Sequence, residues 1–171
     1  MSSFTVTSNY YLKSLYKNNQ VYATALNREN VNNGLLMAAD TKALMNGTAV
    51  MNSINYGDAE DDEALETKRF YLNLKAFADT YNYTMESASK SSTAVSKSVV
   101  KKIKKLYAKY ESKLESLGIE FDTDGYMELD KSSIDDIDKS KYEKLFGKDS
   151  EFMSELKSLA KKLSKHIDYT V

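Results

Sequence analysis

Apolar positions along this chain recur mostly at steps of three and four, the spacing that lines one face of a helix. The clearest run is Tyr71, Leu74, Ala78, Tyr81, Met85 and Ala88, with steps of 3, 4, 3, 4 and 3, a coiled-coil rhythm. A second run follows at Val99, Ile103, Leu106, Tyr110, Lys113 and Leu117, in which Lys113 interrupts the seam and the adjacent Leu114 covers the gap. Ser91-Ser92-Thr93 separates the two runs, and any of the three can cap the second helix. Gly118 is placed to stop it. Upstream, the acids of DAEDDEALE (58–66) suit the first turns of a helix, where they complement its exposed N–H groups. The pattern predicts two long helices over about 58–90 and 94–117, paired as an antiparallel hairpin.

The flanking segments are read the same way. Leu12, Leu15 and Tyr16 predict a short helix near 9–18, and Leu35, Leu36, Ala39, Ala43 and Leu44 predict another over about 27–46, stopped at Gly47. Val50–Gly57 reads as a connection. After Gly118 the period changes to two: Ile119 and Phe121, then Met127 and Leu129, flank Asp124-Gly125, the pattern of a β-hairpin. Helical spacing returns with Ile134, Ile137, Leu145 and Phe146, closed by Gly147, and a last helix carries Phe152, Leu156, Leu159, Leu163 and Ile167 on one face. The expected architecture is one mainly α domain over 1–171, an elongated helical bundle with a coiled-coil hairpin at 58–117, one small β-hairpin inserted near 119–129 and C-terminal helices over 134–167. Residues 1–57 form its less regular N-terminal part.

Composition narrows the chemistry. There is no cysteine, so disulfides, thiolate metal sites and cysteine nucleophiles are excluded. There is no proline and only 6 glycines among 171 residues, which favours long helices over a turn-rich sandwich. The single histidine, His166, cannot build a multi-histidine metal site or a Ser-His-Asp triad with any partner the sequence suggests, and it reads as a helix-terminal residue. No stretch reaches the apolar length of a membrane span, so no membrane insertion is expected. The start carries no basic segment followed by an apolar one, so a Sec signal is not evident.

The net charge of −1 conceals blocks: +2 over 1–57, −4 over 58–90, +5 over 91–117, −6 over 118–151 and +2 over the rest. Such alternation suits neighbouring helices that attract one another, or a partner copy. The lysines at 97, 101, 102, 104, 105, 109 and 113 are expected opposite or beside the acids of the preceding helix. Only Arg28 and Arg69 are arginines among the 24 basic residues, which disfavours sequence-specific nucleic-acid recognition.

One run invites a metal reading. With Glu120 as position 1 of an EF-hand loop, Asp122, Asp124 and Gly125 take positions 3, 5 and 6. Position 12, which needs a bidentate glutamate, is then Lys131. The period-two flanks also fit a hairpin rather than two helices, so no calcium site is expected. No other residues suggest a metal, a cofactor or a catalytic group.

Two stretches carry a resemblance. LNLKAFADTYNYTMESASKS (72–91), with Phe77, Asp79, Tyr81 and Asn82, resembles the element that opens a long helix in flagellar filament cap proteins, the flagellar hook-associated protein 2 family. LESLGIEFDTDGYMELDKSSI (114–134) is similar to that family's hairpin element, through Leu117, Gly118, Ile119, Phe121, Asp124, Gly125, Leu129 and Asp130. Leu145-Phe146-Gly147 and the helix after it resemble the next stretch, so the likeness spans roughly 72–165 and leaves out the family's large outer domains. What it implies is a structural, non-enzymatic protein that assembles with copies of itself or with filament and hook-associated subunits, outside the cell on the bacterial flagellum. The contrasting expectation is a cytoplasmic helical adaptor or export-chaperone-like module for one protein partner.

Overall fold

The structure is a computed structural model and describes residues 3–56, 63–130, 132, 139–167 and 169. Part of the acidic run at 58–66, the positions Ile134 and Ile137, and Lys131 lie outside these residues. The elements in chain order are α1 (Ser3–Tyr16), two 3-10 segments (Lys17–Ala23 and Ala25–Asn27), α2 (Asn33–Ser53), α3 (Glu63–Lys90), α4 (Ala94–Glu115), β1 (Ile119–Phe121), β2 (Met127–Leu129), α5 (Lys139–Phe146) and α6 (Glu151–Ser164). The protein is mainly α with one small antiparallel hairpin, as the periodicity predicts.

Helix starts are set by side-chain caps. Asn32, Thr93 and Ser150 each accept a hydrogen bond from a backbone N–H three residues on, at Leu35, Ser96 and Met153. Thr93 is thus the cap among the three polar residues that precede α4. At its other end, α4 gives way to Gly118 with φ +71°.

Helix α2 departs from expectation at both ends. It starts at Asn33 rather than 27 and runs through Gly47 to Ser53, taking in Val50 and the fully buried Met51. Gly47 is therefore not a stop. A Cβ there would lie 3.3 Å from Thr80 Oγ1, 3.4 Å from Phe77 Cδ2 and 3.5 Å from Leu15 Cδ1, so the glycine lets α1, α2 and α3 approach at one point. Leu35, placed on the apolar face by spacing, is 46 % exposed, while Leu36, Ala39, Ala43 and Leu44 are buried.

Helix α3 is the central element. Ala76, Phe77 and Ala78 are buried in succession, as are Leu72, Leu74, Tyr81, Met85 and Ala88, so apolar surface wraps the helix instead of forming one seam. Its most extensive packing is against α2, then α1, whereas α4 lies chiefly against α6. The heptad-like stretches of α3 and α4 touch but do not make the dominant pair that their matching rhythm suggests. Periodicity reports which face is buried, not which neighbour covers it. Ala76 joins Leu12, Leu15, Tyr16, Ala23, Ala39 and Ala43 on the α1 side. Phe77, Tyr81 and Met85 belong to the larger core with α4, α5, α6 and the hairpin.

The hairpin has the expected face. Ile119 pairs with Leu129 and Phe121 with Met127, so the four apolar side chains share one side. Ile119 is buried in the same core cluster as Leu114 and Leu117, β1 packs on α4 and β2 on α3, and the turn reaches Lys104, whose Cε would lie 3.1 Å from a Cβ on Gly125. The loop is also longer than a two-residue turn. Gly125 N–H donates to Asp122 C=O (3.0 Å), and Gly125 has φ +87°.

Candidate functional site

The hairpin is tied to α3 by two adjacent side chains. Tyr81 Oη donates to the Gly125 carbonyl (2.8 Å). Asn82 Nδ2 donates to the Met127 carbonyl (2.9 Å), and Asn82 Oδ1 accepts from the Met127 N–H (2.7 Å). The amide thereby takes the place of a neighbouring strand on one residue of β2. Beneath it the Tyr107 ring lies 4.1 Å from Phe121 and 4.8 Å from Tyr81, and Phe152 of α6 completes the cluster at 5.5 Å from Tyr107. Burial, with the facing phenol, pushes the Tyr107 hydroxyl far above its usual range, and burial does the same to Tyr81.

The turn itself is held by Asp122, whose Oδ1 accepts from the N–H groups of Asp124 (2.9 Å) and Tyr126 (2.8 Å). That oxygen serves the backbone of the EF-hand-like run. Among the described residues no group of three or more His, Cys, Asp or Glu side chains is placed to hold a metal ion.

The residues that carry the family likeness are thus only partly brought together. Tyr81, Asn82, Phe121 and Gly125 meet, and Ile119 and Leu129 support them from the sheet face. Gly118 and Asp130 close the base of the hairpin, the Asp130 N–H donating to the Gly118 carbonyl at 2.8 Å, while the Asp130 carboxylate accepts from Ser132. The Leu117 carbonyl accepts from the buried Tyr142 hydroxyl of α5 (2.6 Å). Asp124 is exposed. Phe77 packs on Phe146, 5.9 Å away, apart from the hairpin. Among the described residues Asp79 pairs with Lys75, at 3.3 Å, and burial raises its carboxyl above the usual range despite that lysine.

A second cluster was not anticipated from the sequence. Arg28, in the segment between α1 and α2, makes a two-pronged contact with Asp40, at 2.8 Å to each oxygen. Asp40 is fully buried and also accepts from Tyr16 Oη (2.6 Å), while the Arg28 guanidinium lies over the Tyr83 ring at 3.9 Å and donates to the Tyr22 carbonyl. Burial and the Asp40 charge together raise the Tyr16 phenol. These contacts lock the 3-10 segments onto α2 and α3. The available signal was the rarity of arginine in a lysine-dominated chain, since a planar fork suits a buried carboxylate where lysine does not.

The charged surface is distributed differently from expectation. All seven lysines of α4 are exposed, and among the described residues Lys109 is the one that meets a carboxylate, Glu155 of α6, at 2.9 Å. The described acids of α3 pair elsewhere: Glu66 with Lys139, Asp79 with Lys75 and Glu86 with Lys90. His166 is exposed just beyond α6, its N–H bonded to the Leu163 carbonyl. Compared with known proteins, the chain matches no family model, no curated protein and no solved structure.

Proposed function

We propose that this chain is a structural, non-enzymatic assembly protein, similar to the helical core of flagellar filament cap proteins and working through contacts with filament or hook-associated subunits or with copies of itself. The observation that carries the reading is the junction of Tyr81 and Asn82 with Gly125 and Met127. Two stretches some forty residues apart in sequence resemble that family independently, and in the fold they are hydrogen-bonded partners. A hairpin braced on a long helix makes a rigid body, which an assembly subunit needs if it is to transmit position rather than bend. On this reading the protein acts outside the cell on a flagellum and needs no cofactor.

Co-sedimentation with purified flagellar filaments and hook–filament junctions tests it. The expected result is saturable pelleting with filament ends, reduced by excess unlabelled protein. A chain that remains in the supernatant at every filament concentration would overturn the reading.

A further inference from the structure

The seam between α4 and α6 is not closed at the surface. Two depressions of about 430 and 380 Å³ open along it. The first is floored by Tyr110 and Phe152 and the second by Leu106 and Leu159. Across the second the Lys109–Glu155 pair reaches over, with side chains 55 % and 50 % exposed, a solvent-screened contact that contributes little. One wall consists of Lys102, Lys105, Lys109 and Lys113, spaced 3, 4 and 4 residues, so they form a single stripe along α4. At 1.5 Å per residue that stripe is about 16 Å long, three turns of helix. Lys144 of α5 extends the positive wall at the Tyr110 end. Among the described residues Lys102, Lys105, Lys113 and Lys144 meet no carboxylate within ion-pair distance.

We propose that this groove docks an acidic amphipathic helix from a partner protein, an inference that rests on the assembly reading and assigns it a surface. An apolar floor between two helices accepts side chains at helical spacing, and a lysine stripe with the same three- and four-residue rhythm faces carboxylates on the flank of such a helix. Asp149, Glu151 and Glu155 on the opposite side set the polarity, because an occupant can present its acids only towards α4. The same three carboxylates, and a wall of lysine without arginine, argue against a phosphate backbone as the occupant.

Two synthetic peptides of about five helical turns test the groove, both built from leucine and glutamate in equal composition, one ordered as an amphipathic helix and one scrambled. Fluorescence anisotropy on the full chain is expected to show the ordered peptide binding at least about tenfold tighter than the scrambled one, and more weakly as salt is raised. The exposed double substitution Lys105→Glu/Lys113→Glu is expected to weaken the ordered peptide by about tenfold while leaving the helical circular dichroism and thermal midpoint in place. Equal binding of both peptides, or indifference to the charge reversal, would overturn the proposal. Should the substituted chain lose its fold, the ordered-against-scrambled ratio and its salt dependence on the parent chain still decide. Sedimentation of the chain alone adds one more arm: self-association abolished by the reversal would place a second copy in the groove and overturn the chosen occupant. If peptide binding fails while filament pelleting persists, the groove falls and the assembly reading stands. If pelleting fails in the parent chain, the assembly reading falls whatever the peptides do.

Discussion

Asn82, on a helix, hydrogen-bonds the backbone of Met127, on a strand, in both directions, at 2.9 and 2.7 Å. Only a side-chain amide offers a donor and an acceptor at that spacing without charge. Asn82→Ala is expected to lower stability by about 2–3 kcal/mol in urea unfolding, because two half-buried backbone groups lose their partners. Asn82→Asp is expected to do at least as much harm at neutral pH, where a carboxylate faces the Met127 carbonyl, and to recover in acid as the carboxyl regains a donor. Parent-like midpoints for both variants would show the hairpin to be held by its apolar face alone.

The two tyrosines beneath the hairpin make a contrasting pair. Tyr81 donates to Gly125, so Tyr81→Phe is expected to cost about 0.5–1.5 kcal/mol. Among the described residues the buried Tyr107 hydroxyl meets no hydrogen-bond partner at ordinary geometry and faces the Tyr81 phenol, so Tyr107→Phe is expected to leave the thermal midpoint unchanged or raise it. Calorimetry on the two single variants checks the order, and a larger loss for Tyr107→Phe would contradict it.

Arg28→Ala strands the Asp40 carboxylate in a fully buried position with Tyr16 as its remaining hydrogen-bond partner among the described residues. Breaking such a pair is expected to cost about 3 kcal/mol at neutral pH. Chemical denaturation at pH 7 measures it, and a parent-like midpoint would mean that the pair contributes nothing to stability.

Asp79 offers the reverse case. Burial raises its folded-state pKa, so any stabilisation by its protonated form is present in acid and lost as pH rises through the folded value. Asp79→Asn is therefore expected to raise the thermal midpoint by the order of a degree or two at pH 7 and to have little effect below pH 4. A lower midpoint at pH 7 would make the half-buried Lys75 contact more important than the desolvation of the carboxylate.

Alkaline stability follows from the tyrosines. Burial pushes Tyr142 up to about 12, against about 10 for an exposed phenol, with Tyr16, Tyr81 and Tyr107 displaced the same way. The contribution of a group with a raised folded pKa is complete below the unfolded value and lost above it. Unfolding free energy is thus expected to be flat up to about pH 10 and to fall between pH 10 and 12, by about 2 kcal/mol for Tyr142 alone. Urea titrations across that window, with tyrosinate absorbance followed in parallel, measure it. A constant midpoint to pH 12 would exclude ionisation-linked unfolding.

That helices form over these stretches, that a polar cap falls within 91–93, the positive φ at Gly118 and Gly125 and the common face of Ile119, Phe121, Met127 and Leu129 were determined by the sequence alone. Each depends on chain neighbours a few residues apart, so local periodicity and turn chemistry suffice. The candidate site was legible only as two separate motifs. That Asn82 reaches Met127, that Gly47 is a crossing point rather than a stop, that α3 is covered mainly by α2, and that Arg28 finds Asp40 were decided by tertiary packing. A burial pattern states that a face must leave water without naming what will cover it. Hydrogen bonds between residues tens of positions apart exist only after that choice is made, because their geometry is set by the helices that carry them.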